Sequence, residues 1–304
     1  MRPPRIFSNR FLAGLVLCLA ACQVFAPAAP ARAQTLQAKY EERLREIRLI
    51  TAMESSLYAA AEAEKLAVMA DTDEASVDFA DKAMAIAGSI EKDRAELAAL
   101  VIKGKLDKEA ALLADFDTCW AEYRKLDKEI LDLAVKNTNL KAARLSQGQA
   151  RELVTSLAGC LTQAVPATDN PPLAAQVREL ADKALIAVQQ VQILHAPHID
   201  ESGSARMDDL EAQMQARLGE ARDALTKASG LLDEKGKASL GACAALLDDY
   251  ARITAEIVTL SRQNTNLDSL RLSLSRKRTA TASCSEILAA LKKTAFDRGF
   301  KATR

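Results

Sequence analysis

The string Asn137-Thr138-Asn139-Leu140-x-x-x-Arg144-Leu145-Ser146 returns in the second half of the chain as Asn264-Thr265-Asn266-Leu267-x-x-x-Arg271-Leu272-Ser273. Seven of the ten positions are identical, and both strings lie inside long segments of matching apolar periodicity. Self-similarity at a fixed offset means that one supersecondary unit is built twice. Whatever this 304-residue chain folds into must therefore be read as one module in two copies.

The module is helical. Aromatic residues make up 4% of the chain and glycines number only 11, against abundant Ala, Leu, Glu and Lys, the usage of helical proteins. Phe116, Cys119, Tyr123, Leu126, Ile130 and Leu133 step by three and four. Cys243, Leu246, Tyr250, Ile253, Ile257 and Leu260 answer them one for one, at the offset that relates the two Asn-Thr-Asn strings. Such a seam belongs to bundle helices. Trp120 falls one position off it. Breaks at Asp71-Thr72-Asp73, Gly104-Lys105, His195 to Gly203 and Lys235-Gly236 divide each copy into four helices. The first copy is predicted to hold 36–69, 73–103, 106–136 and 139–164; the second holds 173–194, 204–234, 237–263 and 266–294. The expected fold is all-α: two tandem up-down-up-down four-helix bundles, 34–165 and 173–304, joined by a Pro-rich linker at 166–172 that cannot continue a helix.

Asn and Thr compete for backbone hydrogen bonds and favour caps and turns. The two Asn-Thr-Asn strings, Asn137, Thr138, Asn139 and Asn264, Thr265, Asn266, therefore read as reversals between the third and fourth helices, with Thr138 or Asn139, and Thr265 or Asn266, as helix caps. Four cysteines supply a test of that reading. Cys119 precedes Thr138 by slightly less than Cys160 follows it, and Cys243 precedes Thr265 by slightly more than Cys284 follows it. A fold-back at each Asn-Thr-Asn brings Cys119 near Cys160 and Cys243 near Cys284, whereas a continuous helix separates each pair by about 60 Å. The expected staples are thus Cys119–Cys160 and Cys243–Cys284, one per repeat. Pairing between repeats is the other arrangement, and geometry decides it. In an up-down-up-down bundle, Asp71 to Asp73 should neighbour Asn137 to Asn139, and His195 to Gly203 should neighbour Asn264 to Asn266.

The N-terminus, 1–33, reads as an export signal. Arg2, Arg5 and Arg10 precede an apolar run beginning at Phe11. Ala31-Arg32-Ala33 offers a small-x-small cleavage site, and Leu19-Ala20-Ala21-Cys22 offers a lipobox that would leave Cys22 lipidated. Either route exports the protein to the periplasm or an equivalent compartment, with a lipid anchor as its one contact with a membrane. An even set of cysteines in an oxidising compartment is read as disulfides. The sequence holds 41 basic and 41 acidic residues, which gives no nucleic-acid footprint.

The third and fourth helices of the first repeat resemble a known family. Phe116-x-x-x-Trp120-x-x-Tyr123, then Glu129-Ile130-x-x-Leu133-Ala134, the Asn-Thr-Asn string and Ala142 are similar to the periplasmic four-helix-bundle sensor domain of methyl-accepting chemotaxis receptors, here detached from a signalling region and in tandem. In the second repeat Tyr250 matches Tyr123, but Leu247 replaces the Trp. The resemblance implies a small-molecule ligand or a protein partner in the envelope, and no catalysis.

Candidate residues follow from these readings. Trp120 and Tyr123 could wall a small-molecule pocket between helices, and Arg144 and Arg271, at the same place in each fourth helix, could hold carboxylates. The Asn-Thr-Asn strings could present a repeated polar surface. His195 and His198, the only histidines, fall in a predicted loop, where a metal is a remote option against a plain polar connection. The charge runs Glu41-Glu42-Arg43 and Arg276-Lys277-Arg278 read as solvated faces. No nucleophile elbow, phosphate loop or zinc-protease helix occurs, and nothing calls for a cofactor. The leading reading is an exported, non-enzymatic sensor-like binding or adaptor protein, compatible with a homodimer. The alternative is a structural or assembly scaffold of the envelope.

Overall fold

The computed structural model describes residues 31–165 and 170–302, with side chains from 37 and up to 298. The segment 1–30, with Cys22 and the basic n-region, lies outside the described residues, as does 166–169 of the linker. Among the described residues every regular element is helical: α1 (Ala31–Met69), α2 (Asp73–Gly104), α3 (Asp107–Ala134), α4 (Thr138–Leu145), α5 (Arg151–Ala164), α6 (Pro171–Ile199), α7 (Ser204–Gly230), α8 (Glu234–Ser261), α9 (Thr265–Leu272) and α10 (Arg278–Ala302). A π-helical turn, Ser146–Ala150, joins α4 to α5 without a break, and another, Ser273–Lys277, joins α9 to α10. None of these helices is long and apolar enough to cross a membrane.

Local chemistry sets most boundaries. Thr72 Oγ1 accepts from Ala75 N at 3.1 Å to start α2, and Asp233 Oδ1 accepts from Gly236 N at 2.8 Å to start α8, as N-caps should. Asn170 Oδ1 accepts from Leu173 N where Pro171 opens α6, with proline at the first turn, where its missing N–H costs nothing. One boundary differs from expectation. The predicted loop at His195 to Gly203 begins only after Ile199: α6 continues through Pro197, with His195, His198 and Ile199 buried in the core.

The packing divides the helices into two four-helix bundles in tandem, each stapled by a disulfide between a third and a fourth helix. The fourth helix is the one supplied by the other repeat. One core joins Ile50, Met53, Leu57, Ile90, Leu97, Phe116, Tyr123 and Ile130 of α1–α3 to Leu272, Cys284, Leu288 and Leu291 of α9 and α10. The other joins Ala142, Leu157 and Leu161 of α4 and α5 to Val177, Val188, Leu218, Leu247, Tyr250 and Ile257 of α6–α8. We call these bundle 1 and bundle 2. The limits 34–165 and 173–304 thus enclose the repeats, and the bundles are built across them.

The disulfides record the same exchange. Cys119 is bonded to Cys284 and Cys160 to Cys243, with Cα atoms 5.7 and 5.6 Å apart. The expected pairs Cys119–Cys160 and Cys243–Cys284 do not form. The cause is the course of the chain at Asn-Thr-Asn: α3 leaves bundle 1 and α4 runs on into bundle 2, so Cys119 and Cys160 belong to different bundles. Helices α8 and α9 do the converse. The two long segments run antiparallel along the whole molecule. Helices such as α3 and α8, each of 28 residues, placed end to end with their continuations make a rod of about 80 Å.

The segments cross at their midpoints, where a clasp forms. Asn137 and Asn264 adopt left-handed conformations, φ 52° and 50°, which Asn tolerates better than most residues. Neither makes a side-chain cap bond to its own helix. Capping comes instead from the opposite repeat. Thr138 N donates to Thr265 Oγ1 at 3.2 Å and Thr265 N to Thr138 Oγ1 at 3.3 Å. Asn139 N donates to Asn266 Oδ1 and Asn266 N to Asn139 Oδ1, at 3.1 and 3.3 Å. The side-chain amides close the ring: Asn139 Nδ2 donates to Asn264 Oδ1 at 3.1 Å and Asn266 Nδ2 to Asn137 Oδ1 at 2.9 Å. Residues expected to reverse the chain therefore tie the repeats together about a local pseudo-twofold axis. The helical turns do gather here. Arg144 donates to Asp71 O at 2.5 Å, Lys141 pairs with Asp73, and Asn139 Nδ2 also reaches Ile199 O at 2.8 Å.

Candidate functional site

Each bundle buries a polar centre beside its π-turn, and duplication makes the two directly comparable. Tyr123, Asp127 and Ser273 of bundle 1 answer Tyr250, Thr254 and Ser146 of bundle 2 at the offset of the repeat. On the first helix of each bundle the buried positions match at a different offset: Met53, Leu57, Ala60 and Glu64 answer Ala184, Val188, Val191 and His195. Glu64 and His195 are thus equivalents, each fully buried and each set against the serine that opens a π-turn. Turns of this type recur at functional sites.

In bundle 2 the centre is internally satisfied. His195 Nδ1 is 3.1 Å from Ser146 Oγ and Nε2 is 3.3 Å from Thr254 Oγ1. Gln192 Nε2 donates to Ser146 O at 2.9 Å, and Tyr250 OH donates to Gln192 Oε1 at 3.3 Å. One turn on, His198 Nδ1 lies 2.9 Å from Ser261 Oγ, and Nε2 lies 2.9 Å from Glu211 Oε1, which Arg262 also holds at 2.5 Å. Burial, then the neighbouring His198, lower the His195 pKa to about 4. The hydrogen bond from Arg262 chiefly holds Glu211 below the usual carboxylate range. The histidines are core residues of a helix, not loop residues. Among the described residues no group of three or more His, Cys, Asp or Glu is placed to hold a metal.

Bundle 1 holds a different chemistry in the same frame. Lys277, in the predicted solvated run Arg276-Lys277-Arg278, is 2% exposed. Its Nζ donates to Asp127 Oδ1 at 2.5 Å and to Tyr123 O at 3.3 Å, and sits 3.4 Å from the Tyr123 ring centroid. Arg124 Nη1 takes the other Asp127 oxygen at 3.1 Å. Glu64 and Ser273 are not so provided for. Both carboxylate oxygens of Glu64 and the Ser273 hydroxyl are buried without a hydrogen-bond partner. Burial raises the Glu64 pKa, with the nearby Ser273 hydroxyl and then Lys277 opposing it. Burial also lowers that of Lys277, with Asp127 pulling the other way. A cleft of about 310 Å³ opens between α1 and the α9–α10 rod, lined by Tyr58, Ala61, Glu62, Glu64, Lys65, Ser273, Lys277, Arg278, Thr281 and Ala282. Its volume is at the lower end of the range for small-molecule sites.

The residues proposed from sequence are dispersed by the fold. Trp120 is buried, not flanking, and stacks on Tyr123 at 4.7 Å between ring centroids and on Phe116 at 5.9 Å. This aromatic stack lies behind Lys277, outside the lining of the cleft. Arg144 and Arg271 are on the surface, the latter paired with Asp268 at 2.9 Å. Sequence reading missed Glu64, Asp127, Ser273 and Lys277. Of these only Lys277 left a trace: between Leu274 and Cys284 a basic run interrupts the apolar positions, and one of its members must face inward.

Residues 32–166 match the family described as the four helix bundle sensory module for signal transduction. The first repeat carries the sensory-module pattern. The match spans α1 to α5, the continuous repeat, although the bundle containing α1–α3 is closed by α9 and α10. No curated protein matches the chain. Among solved structures, the TorS sensor domain, taken from a complex with TorT in the presence of TMAO, aligns at 10% identity and a TM-score of 0.41, over 83% of this chain and 99% of that one.

Proposed function

We propose that the protein is an exported, non-enzymatic sensor-like binding module that takes a small ligand in bundle 1 and presents the state of that bundle to an envelope partner. The match of residues 32–166 to a sensory module carries this reading. The cleft between α1 and the α9–α10 rod gives it a place. That cleft reaches unpartnered buried acceptors, whereas the equivalent polar groups of bundle 2 are consumed internally. The export signal read from the sequence of 1–33 and the two disulfides are consistent with an oxidising compartment.

A second reading, an envelope scaffold, draws on one observation: disulfides and clasp knit the repeats into a single rod, a property useful in a spacer. Native mass spectrometry of protein purified from its own envelope separates the two. A retained small molecule that is lost from a Glu64→Gln variant supports the binding module. A mass equal to the bare chain, with no small molecule recovered on denaturation, favours the scaffold.

A further inference from the structure

The two π-turns are the same structural event in two copies, and only one is satisfied from within. In bundle 2, His195 and Gln192 occupy the hydrogen-bonding capacity of Ser146. In bundle 1 the residue equivalent to His195 is Glu64, which is 0% exposed; no hydrogen bond of good geometry reaches either of its oxygens or the Ser273 hydroxyl, and the groups close enough to favour its ionised form are that hydroxyl, Lys277 and Lys65. An unpaired buried carboxylate is costly, so its place on the wall of an open cleft calls for a ligand.

We propose that the cleft between α1 and the α9–α10 rod binds the protonated amino group of a small amine, with the Glu64 carboxylate and the Ser273 hydroxyl as its acceptors. This deepens, and rests on, the binding-module reading above.

Glu62, Lys65 and Arg278 stand exposed at the rim of the cleft, so the sign of the ligand is argued from the buried groups at its floor. A lysine ammonium has three N–H donors, and those of Lys277 are directed to Asp127, to Tyr123 O and to the Tyr123 ring. An anion entering the cleft finds no unused buried donor on Lys277. A cation finds the two oxygens of Glu64 and the hydroxyl of Ser273. A hard metal ion is poorly served, since it takes six or more oxygens and Asp127 is already held by Lys277 and Arg124. Ala61, Ala282 and Tyr58, whose hydroxyl is tied to Ser285 at 2.6 Å, give the walls an apolar lining for a short hydrocarbon chain. The charged groups acting on Glu64 are Lys277 from the α9–α10 rod, Asp127 from α3 and Lys65 from α1 itself. Since burial raises the Glu64 pKa, any proton that carboxyl holds must leave when an ammonium binds, so affinity rises with pH through the titration of Glu64 until the amine itself deprotonates.

The experiment is a titration of the full chain with n-butylamine, with n-butanol and butyrate as neutral and anionic controls. It is followed by NMR and calorimetry at pH 5.5 and 8, in wild type and in Glu64→Gln and Ser273→Ala variants. Saturable binding is expected for the amine alone, tighter at pH 8. It should weaken at least about tenfold in Glu64→Gln, the scale of a lost hydrogen bond to a charged group, and lose its pH dependence there. Ser273→Ala, which leaves the carboxylate in place, should weaken it less. No saturation with the amine, or equal affinity in Glu64→Gln, overturns the assignment. Glu64-dependent binding of butanol or butyrate removes the amine class and leaves the binding module standing. If none of the three binds and native mass spectrometry recovers no small molecule, both readings fall.

Discussion

Glu64 and His195 occupy the same place in the two bundles and titrate in opposite senses. His195 has a folded pKa of about 4, below its ordinary 6.5, so the unfolded chain binds the proton more readily. Stability is full above pH 6.5 and falls as pH drops toward 4, by about 3 kcal/mol from this residue alone. A His195→Asn variant should be less stable at pH 7 yet show a flatter fall between pH 7 and 4.5 in urea denaturation. For Glu64 the folded pKa is raised, and the folded chain holds the proton more readily. Stability is therefore full below the ordinary carboxylate pKa and is lost as pH rises through the folded value. Glu64→Gln should raise the melting temperature at pH 8 more than at pH 5, as thermal denaturation would read. The same substitution is expected to weaken amine binding, so a better-folded protein that binds worse separates function from stability.

At the level of elements, the clasp does for α4 and α9 what a cap does within a helix, and it does so between repeats. Asn139 serves four groups at once: it accepts from Asn266 N, and it donates to Asn264 Oδ1 and Ile199 O, while its own N–H is met by Asn266. Asn139→Ala should lower the unfolding free energy by about 2–4 kcal/mol, since several buried groups lose partners together; urea titration checks it. Buried Lys277 ties the π-turn to α3 through Asp127, and Lys277→Met should cost about 3 kcal/mol because it leaves a buried carboxylate served only by Arg124. Non-reducing peptide mapping should return Cys119 linked to Cys284 and Cys160 to Cys243, and a within-repeat link would contradict the exchange of fourth helices.

The whole molecule is an intramolecular pseudo-dimer whose halves trade their fourth helices. A fragment spanning residues 34–165 therefore carries α1–α3 of one bundle and α4–α5 of the other. It should be a dimer that repeats the exchange between two chains, or else unfolded. Sedimentation equilibrium of a folded monomer would refute this arrangement. That exchange also places the start of α1 beside the end of α10, where Arg298 bridges Glu46 and Glu109.

Much of this was written in the chain. Periods of three and four residues, the Thr72 and Asp233 caps and the Pro171 start delimit helices by local physics, which needs no partner. The fixed offset between the Asn-Thr-Asn strings established the duplication. Even the crossing was present in outline. Cys119 and Cys284 stand equally far along the chain from the Thr of their own repeat, and Cys160 and Cys243 share a second, slightly longer separation. The candidate site was far less legible. Glu64 sits among alanines on α1 and Lys277 within a basic run, and each reads as surface until the helix that covers it is known.

What the tertiary structure alone decided is which fourth helix closes each bundle. Helices α4–α5 and α9–α10 open on the same repeated string and present similar apolar stripes, so periodicity is indifferent between them. The choice rests on the direction taken after a single left-handed Asn in each segment, and on hydrogen bonds between Thr138, Asn139, Thr265 and Asn266 that exist only when both repeats are in place. Capping within a helix can be read from neighbours along the chain; capping supplied by the other repeat cannot.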